Sequence, residues 1–528
     1  MFKILISDSL SEEGIEILKK VKEFQVDVKL KLSPEELKNI IKDYDCLLVR
    51  SGTKVTKDII ESADKMKVIG RAGVGLDNVD LEAASKRGII VMNTPGGNTI
   101  STAEHAMSLI LSLSRNIPEA DASTKRGEWE RKKFMGVELY GKTLGIIGLG
   151  RIGSEVARRA GAFGMKIIAY DPFLSLDKAK ELGVESVELS DIFKRSDYIT
   201  VHTPMTDETK HIIDKKAIER MKKGVRIINC ARGGIVDEAA LIDGIKSGRV
   251  AGAALDVYEK EPPFKDSLLL KCENIILTPH LGASTEEAQV NVAIDIANSA
   301  RDALLGCGIR NAVNVPCIDL ELYQILQPYV AISEKMGSMA AQIIEGRIKQ
   351  IEIKYSGDIA KYASSPLTVA VVKGALTPVL QETVNYVNSL IVAKERGIKV
   401  EESKSSHLEE YANLITVTIK TDKGSISIEG TLFTKTDARI VKVGQFHVDA
   451  IPEGYMLVAH NIDVPGIIGR IGTILGNNKI NIAAMTFGRE KPGGKTLSVL
   501  NVDSAVPEKV LEEIRKEKNI LDAKLIKL

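Results

Sequence analysis

One stretch constrains the chain more than any other: residues 144–172, LGIIGLGRIGSEVARRAGAFGMKIIAYDP. An apolar run meets three glycines at GxGxxG spacing, Gly148, Gly150 and Gly153; an amphipathic pattern follows, then a second apolar run ending in Asp171. That order predicts strand, tight turn, helix and strand. Gly148 permits the turn, Gly150 lets a pyrophosphate approach the backbone, and Gly153 allows close helix–strand packing. The helix start offers unpaired N–H groups and the positive dipole end to the phosphates. Asp171 stands about 20 residues on, where a carboxylate accepts from a ribose 2′-hydroxyl. The same charge repels a 2′-phosphate, so NAD is favoured over NADP. The plain alternative is a doubly wound domain whose glycines serve only as turn residues.

At 528 residues the chain exceeds one ordinary core, and three or four domains are expected. Residues 1–98 alternate Val- and Ile-rich runs (KILIS, FQVDVK, CLLVR, KVIGRAG, IIVMN) with helical patterns, which predicts a parallel sheet covered by helices. Residues 99–117 read as one long buried helix, and a second alternating unit runs to about residue 283. Another long helix spans 284–306, and residues 316–451 read as an α+β unit. From Tyr455 the order is βαββαβ, the ferredoxin-like arrangement. With 72 basic against 71 acidic side chains, nothing electrostatic recommends nucleic acid or an anionic membrane as partner. The five cysteines (Cys46, Cys230, Cys272, Cys307 and Cys317) include no CxxC, which argues against a disulfide framework or a zinc site; no metal is expected. No apolar run reaches bilayer length and the N-terminus enters a strand pattern without a signal-peptide layout, so a cytoplasmic protein is expected.

Three downstream segments, IINCARGG, AGAALDVYEKEP and IILTPHLGAST, end apolar strands with polar residues. Ligands gather at such strand ends in open α/β sheets. They supply Arg232, Glu261 and His280. Oxidising an alcohol removes a hydride from carbon and a proton from oxygen, and an imidazole suits the proton at neutral pH. Glu261 would hydrogen-bond the far ring nitrogen and fix its tautomer. Arg232 presents a planar fork for a carboxylate and the adjacent oxygen. Together these specify a 2-hydroxy acid. Each residue also has a bland reading: a structural histidine among the chain's seven, a helix-entry arginine, a solvated EKEP turn. Cys230 reads as packing near the cofactor.

The motifs GRAGVGLDNVD, GLGRIG, NCARGGIVDEAAL, ALDVYEKEPP and TPHLGAST resemble the D-isomer-specific 2-hydroxyacid dehydrogenases. Within that family the whole chain is similar to the long-form D-3-phosphoglycerate dehydrogenases, which carry intervening and ACT domains. The resemblance implies an α/β fold with two Rossmann-like doubly wound domains, the first discontinuous, then an α+β intervening domain and a ferredoxin-like ACT domain. Its boundaries would be 1–98 with return segment 284–313 for substrate, 99–283 for NAD, 314–452 intervening, and 453–528 ACT. It assigns catalysis to Arg232, Glu261 and His280. Beyond the glycines and Asp171, it places cofactor contacts at Val74, Arg151, Ile152, Thr203, Cys230 and Ala231. Arg232, Asp256, His280, Gly282 and Ala283 complete that set. Substrate contacts fall on Arg50, Ser51, Gly52, Arg71 and Gly73, with Arg232 and His280. Arg131 matches a residue that a neighbouring subunit contributes. Several arginines at one cleft suit a phosphate ester, here 3-phosphoglycerate and its product 3-phosphohydroxypyruvate.

The resemblance extends to the tail. Asn461, Asp463 and Asn481 match an effector site for L-serine in a homo-oligomer, expected as a tetramer. Their carboxylate and amides suit a ligand with ammonium, carboxylate and hydroxyl groups. Lys435, Arg439, Lys442 and His447 in the intervening unit suggest either a phosphate-effector site or an ordinary solvated charged face. Two other functions stay open at this stage. One is reduction of glyoxylate, hydroxypyruvate or 2-oxoglutarate. The other is a non-catalytic NAD-sensing scaffold, which the long regulatory tail disfavours.

Overall fold

The computed structural model describes residues 1–528 apart from 317–319, 363, 381–382 and 406–409. Cys317 and His407 lie outside the described residues. Four sheets organise the described residues.

The first has strands β1 (Phe2–Ile6), β2 (Phe24–Val28), β3 (Cys46–Val49), β4 (Val68–Arg71) and β5 (Ile90–Met92) in the order β2-β1-β3-β4-β5. Every pairing is parallel. All four residues of β3 are buried, as expected of a strand covered on both faces. Helix α1 (Glu12–Lys19) covers one face, with Glu12 and Glu13 at its start and Lys19 at its end complementing the helix dipole.

Helix α2 (Thr99–Arg115) leads away from this sheet, burying Thr102, Ala103, Ala106, Met107 and Ile110. It stops earlier than the expected 99–117 helix. Asn116 turns left-handed (φ 51°), and Pro118 begins a separate helix, Ile117–Lys125. A proline is accommodated in a helix's first turn but not in its interior.

The second sheet follows: β6 (Thr143–Ile147), β7 (Lys166–Tyr170), β8 (Glu185–Ser186), β9 (Tyr198–Val201), β10 (Val225–Asn229), β11 (Val250–Leu255) and β12 (Ile275–Leu277). Its order is β12-β11-β10-β9-β6-β7-β8, so the winding direction reverses between β6 and β9. Helix α3 (Arg151–Ala162) starts at that switch point. Helix α4 (Glu286–Leu304) then returns to the first sheet. Its approach to α1 is so close that a Cβ on Gly14 would lie 2.6 Å from the Ala293 carbonyl oxygen.

The third sheet, β13 (Ile348–Gly357), β14 (Lys399–Ser405), β15 (Asn413–Thr421), β16 (Ser425–Leu432), β17 (Ala438–Val443) and β18 (Phe446–Ala450), runs β14-β13-β15-β16-β17-β18. Helices α5 (Leu320–Ile343) and α6 (Ser365–Leu376) supply Met336, Met339 and Val371 to its core. The last unit is β19 (Tyr455–Ile462), α7 (Ile467–Asn477), β20 (Ile482–Arg489), β21 (Lys495–Val502), α8 (Glu508–Lys516) and β22 (Ile520–Lys527), with antiparallel order β20-β21-β19-β22. One face, including Leu457 and Ala459, packs on α7 and α8. The other contributes Met456, Val458, Leu497, Val499 and Ile526 to the same core as the third sheet. No helix among the described residues is long and apolar enough to cross a membrane, and none of their side chains group as a metal site.

Candidate active site

Both parallel sheets present their strand carboxyl ends to one cleft, the place where open α/β sheets take ligands. The two chain crossings beside it are tied together. The Ser101 and Thr285 hydroxyls lie 2.7 Å apart, and the Thr102 hydroxyl donates to the Gly282 carbonyl at 3.0 Å.

On the second sheet, Gly148 has φ 92°, and a Cβ there would sit 2.7 Å from the His202 carbonyl oxygen. A Cβ on Gly153 would lie 2.2 Å from the Gly148 oxygen, while Gly150, the cap of α3, faces open space. Turn, close packing and room for backbone approach are thus divided among the three glycines. Asp171 accepts from the Leu149 and Phe173 N–H groups, each at 2.9 Å, so its carboxylate is held against the glycine turn. The buried Thr203 hydroxyl has no protein partner, and neither does Nδ1 of His202. Burial lowers His202 to about 4, keeping it neutral. Burial also pushes the Cys230 thiol well up, which marks it as an inert packing group. Val74 accepts from the Asn93 amide at 2.6 Å, and Ala283 from that of Gln289 at 2.8 Å. The glycine cradle, the orphaned Thr203 hydroxyl and the anchored acid fit a dinucleotide.

Adjacent strands β10, β11 and β12 deliver the three residues picked out for proton and carboxylate chemistry. His280 Nδ1 lies 2.8 Å from Glu261 Oε2. A carboxylate only accepts, so Nδ1 carries the hydrogen and Nε2 is left with a free lone pair. The other oxygen of Glu261 accepts from the Tyr258 N–H at 3.2 Å, which fixes the carboxylate plane. The imidazole is half exposed and faces a reachable space. Arg232 bonds its own loop through Nη1 and the Ala231 carbonyl at 2.7 Å. It also reaches the first sheet, with Nε 3.4 Å from Asp77 Oδ2. Its guanidinium packs against Gly75, where a Cβ would be 2.1 Å from Nη2.

The first sheet adds two more arginines. Arg71 packs on Gly73, where a Cβ would be 2.3 Å from Nη1, and its buried Nε has no protein partner. Burial, with Arg232 and Arg50 nearby, lowers Arg71 to about 10. Its cationic form is therefore uncomfortable until an anion arrives. The loop Arg50, Ser51, Gly52 follows β3 and is pinned by Asp8, whose Oδ2 accepts from the N–H of Arg50 at 2.6 Å and of Thr53 at 3.0 Å. Arg131 lies apart, exposed on a turn between exposed Trp129 and Met135.

Residues 107–282 match the D-isomer specific 2-hydroxyacid dehydrogenase, NAD binding domain. Residues 325–444 match the D-3-phosphoglycerate dehydrogenase intervening domain, and 455–519 the ACT domain. The chain is 49% identical to D-3-phosphoglycerate dehydrogenase of Methanocaldococcus jannaschii, with both chains covered completely. It is 46% identical to that of Synechocystis, over 100% of this chain and 95% of the relative. The chain belongs to the D-3-phosphoglycerate dehydrogenases. Among solved structures, D-lactate dehydrogenase of Aquifex aeolicus, complexed with NAD and lactic acid, is 30% identical with a TM-score of 0.52; it covers 57% of this chain and 96% of its own. A glyoxylate reductase from Paecilomyes thermophila is 31% identical with a TM-score of 0.54, over 59% of this chain and 97% of its own. As in the family, NAD is the cofactor and the chain is an oxidoreductase.

In the ACT unit of this phosphoglycerate dehydrogenase family member, Asn461, Asp463, Ile467, Phe487, Arg489 and Thr496 line one cavity. Asn461 is fully buried and accepts from Ser498 at 2.7 Å, and Arg489 stands 3.5 Å from Asp463. Asn481 does not line this cavity; its amide donates to Asp503 at 2.8 Å. In the intervening unit Arg439 pairs with Asp437 and Asp449, and Lys442 with Glu429. Sequence reasoning missed Asp8, Asp77, Tyr258 and Thr278, whose hydroxyl donates to the buried Asp256 at 2.6 Å. Asp77 lies within GRAGVGLDNVD, but nothing local ties it to Arg232.

Proposed function

We propose that the chain oxidises 3-phosphoglycerate to 3-phosphohydroxypyruvate with NAD, the first step of the phosphorylated route to L-serine. The observation that carries this reading is the His280–Glu261 pair beside three arginines drawn from both lobes. Bound NAD supplies the hydride acceptor at its nicotinamide. Gly148, Gly150, Gly153 and the start of α3 would hold its pyrophosphate, and Asp171 its adenosine ribose. Nε2 of His280 takes the proton of the C2 hydroxyl, since Nδ1 is engaged by Glu261. Arg232 holds the carboxylate and the oxygen becoming a carbonyl. Arg71 and Arg50 hold charge at the phosphate end. Closure of the two lobes excludes water from these charges and strengthens each contact.

The Asn461–Asp463 cavity supports L-serine as the effector, bound between carboxylate, amide and hydroxyl partners. Because Asn481 points elsewhere, its role in that site requires a second copy. The exposed Trp129–Met135 segment supports the same assembly, with Arg131 offered to a neighbour's cleft in a homotetramer. The enzyme works in the cytoplasm. Initial rates with a panel of 2-hydroxy acids, NAD and NADP, with and without serine, test the reading. 3-Phosphoglycerate with NAD should be fastest and His280→Ala inactive; faster turnover of glycolate or lactate would refute the substrate.

A further inference from the structure

The phosphate end of the cleft is built on the loop Arg50–Thr53, whose two ends are fastened twice over. The N–H groups of Arg50 and Thr53 converge on Asp8 Oδ2 at 2.6 and 3.0 Å, and the Thr53 hydroxyl donates to Asp8 Oδ1 at 2.9 Å. The buried Ser7 hydroxyl stands 2.9 Å from that of Thr53. The carbonyls of the same two residues are taken by Asn78, whose Nδ2 donates to Arg50 at 2.7 Å and to Thr53 at 2.6 Å. Both acceptors are carbonyl oxygens, so the amide nitrogen must be the atom that faces them. The Asn78 carbonyl in turn accepts from the Val55 N–H at 2.7 Å. Between these ends Ser51 and Gly52 are exposed, and their N–H groups have no partner among the described residues. Arg50 Nη1 donates to the Ser9 carbonyl at 3.3 Å.

A carboxylate beside an anion site is unfavourable unless its charge is already engaged, and three donors engage Asp8. Carbonyl oxygens would also repel a phosphate, and Asn78 occupies the two at the loop ends. What the loop leaves for a ligand is donors: two backbone N–H groups, the Ser51 hydroxyl and the Arg50 guanidinium. Asp8 and Arg50 both act on the charge of Arg71, so the loop borders the buried arginine of the same lobe.

We infer that Asp8 and Asn78 are positioning residues that set the preference for a phosphorylated substrate: by fastening both ends of the Arg50–Thr53 loop, they hold its donors ready for the phosphate before substrate arrives. This rests on the reading of the cleft as a 3-phosphoglycerate site.

The test compares 3-phosphoglycerate with D-glycerate, the same acid without its phosphate, on the full chain. In Asn78→Ala and in Asp8→Ala, kcat/KM for 3-phosphoglycerate should fall about tenfold through KM, the cost of ordering a loop at the moment of binding. The kcat at saturation, kcat/KM for D-glycerate and the NADH dissociation constant should each stay within about twofold of wild type, since none involves the phosphate. Asp8→Asn keeps an acceptor for the two N–H groups and should recover most of the selectivity. Equal losses on the two acids would overturn the inference, because a merely structural role moves both alike; so would an unchanged ratio. If the alanine variants do not fold, Thr53→Val, which loses only the hydroxyl bonds, decides by the same ratio against Thr53→Ser. A wild type with no preference for the phosphorylated acid would sink the functional reading and the inference together. A selective wild type whose variants keep its selectivity would sink the inference alone.

Discussion

Asp171→Asn isolates the charge that selects NAD. The native carboxylate is pinned by the Leu149 and Phe173 N–H groups, so its position relative to the glycine turn is set before any ligand binds. Asparagine keeps an acceptor for one of these bonds and removes the negative charge. Two unit charges ~4 Å apart interact by about 4 kcal/mol at an effective dielectric near 20. Asp171 is partly exposed, so solvent and salt screening bring the repulsion of a 2′-phosphate to about 2 kcal/mol. On the NAD side, replacing a charged acceptor with a neutral one at the ribose hydroxyl costs about 1 kcal/mol. The two effects act on the same ratio. Discrimination, (kcat/KM for NAD)/(kcat/KM for NADP), should therefore fall on the order of 100-fold. Steady-state rates with 3-phosphoglycerate and each cofactor measure it. Asp171→Ala should relax the ratio as well, but it also frees both N–H groups and should weaken NAD binding further. A ratio equal to wild type in Asp171→Asn would refute the reasoning and mean that another group reads the ribose.

Arg71→Lys should raise KM for 3-phosphoglycerate about 30-fold, since a point charge replaces a planar fork worth about 2 kcal/mol; an unchanged KM would remove Arg71 from the substrate site. His202 is buried neutral, with its pKa lowered from 6.5 to about 4. The unfolded chain therefore binds this proton more readily, and stability falls as pH drops from the unfolded value toward the folded one. At about 1.4 kcal/mol per unit, that loss reaches about 3 kcal/mol, and denaturation of His202→Gln across this window should show a correspondingly flatter acid limb. Calorimetric titration of L-serine should give saturable heat with wild type and none with Asp463→Ala; no heat in either would retire the effector site.

Local patterns carried much of the fold. Val- and Ile-rich runs announced the parallel strands, and the glycine spacing announced the turn, because both demands act within a few residues. Arg232, Glu261 and His280 were legible because each closes an apolar strand and belongs to a residue type with few other uses there. Their supports were not. Asp8, Asp77 and Thr278 act through bonds to residues distant in sequence, and no periodicity marks such partners. The end of α2 lies two residues before the expected one because Asn116 takes a left-handed cap, which apolar periodicity does not signal. The shared core under the ACT sheet had a visible sign: YMLVA is apolar at successive positions, as a strand buried on both faces must be. Asn481 matched a motif whose geometry one chain does not assemble.

The proton path at His280 is decided by a crystal structure of the enzyme closed around NADH and 3-phosphohydroxypyruvate. Nε2 of His280 should lie within about 3 Å of the substrate's C2 oxygen, with Nδ1 still on Glu261 and Arg232 across the carboxylate. An imidazole turned away from that oxygen in the closed, filled cleft would contradict it.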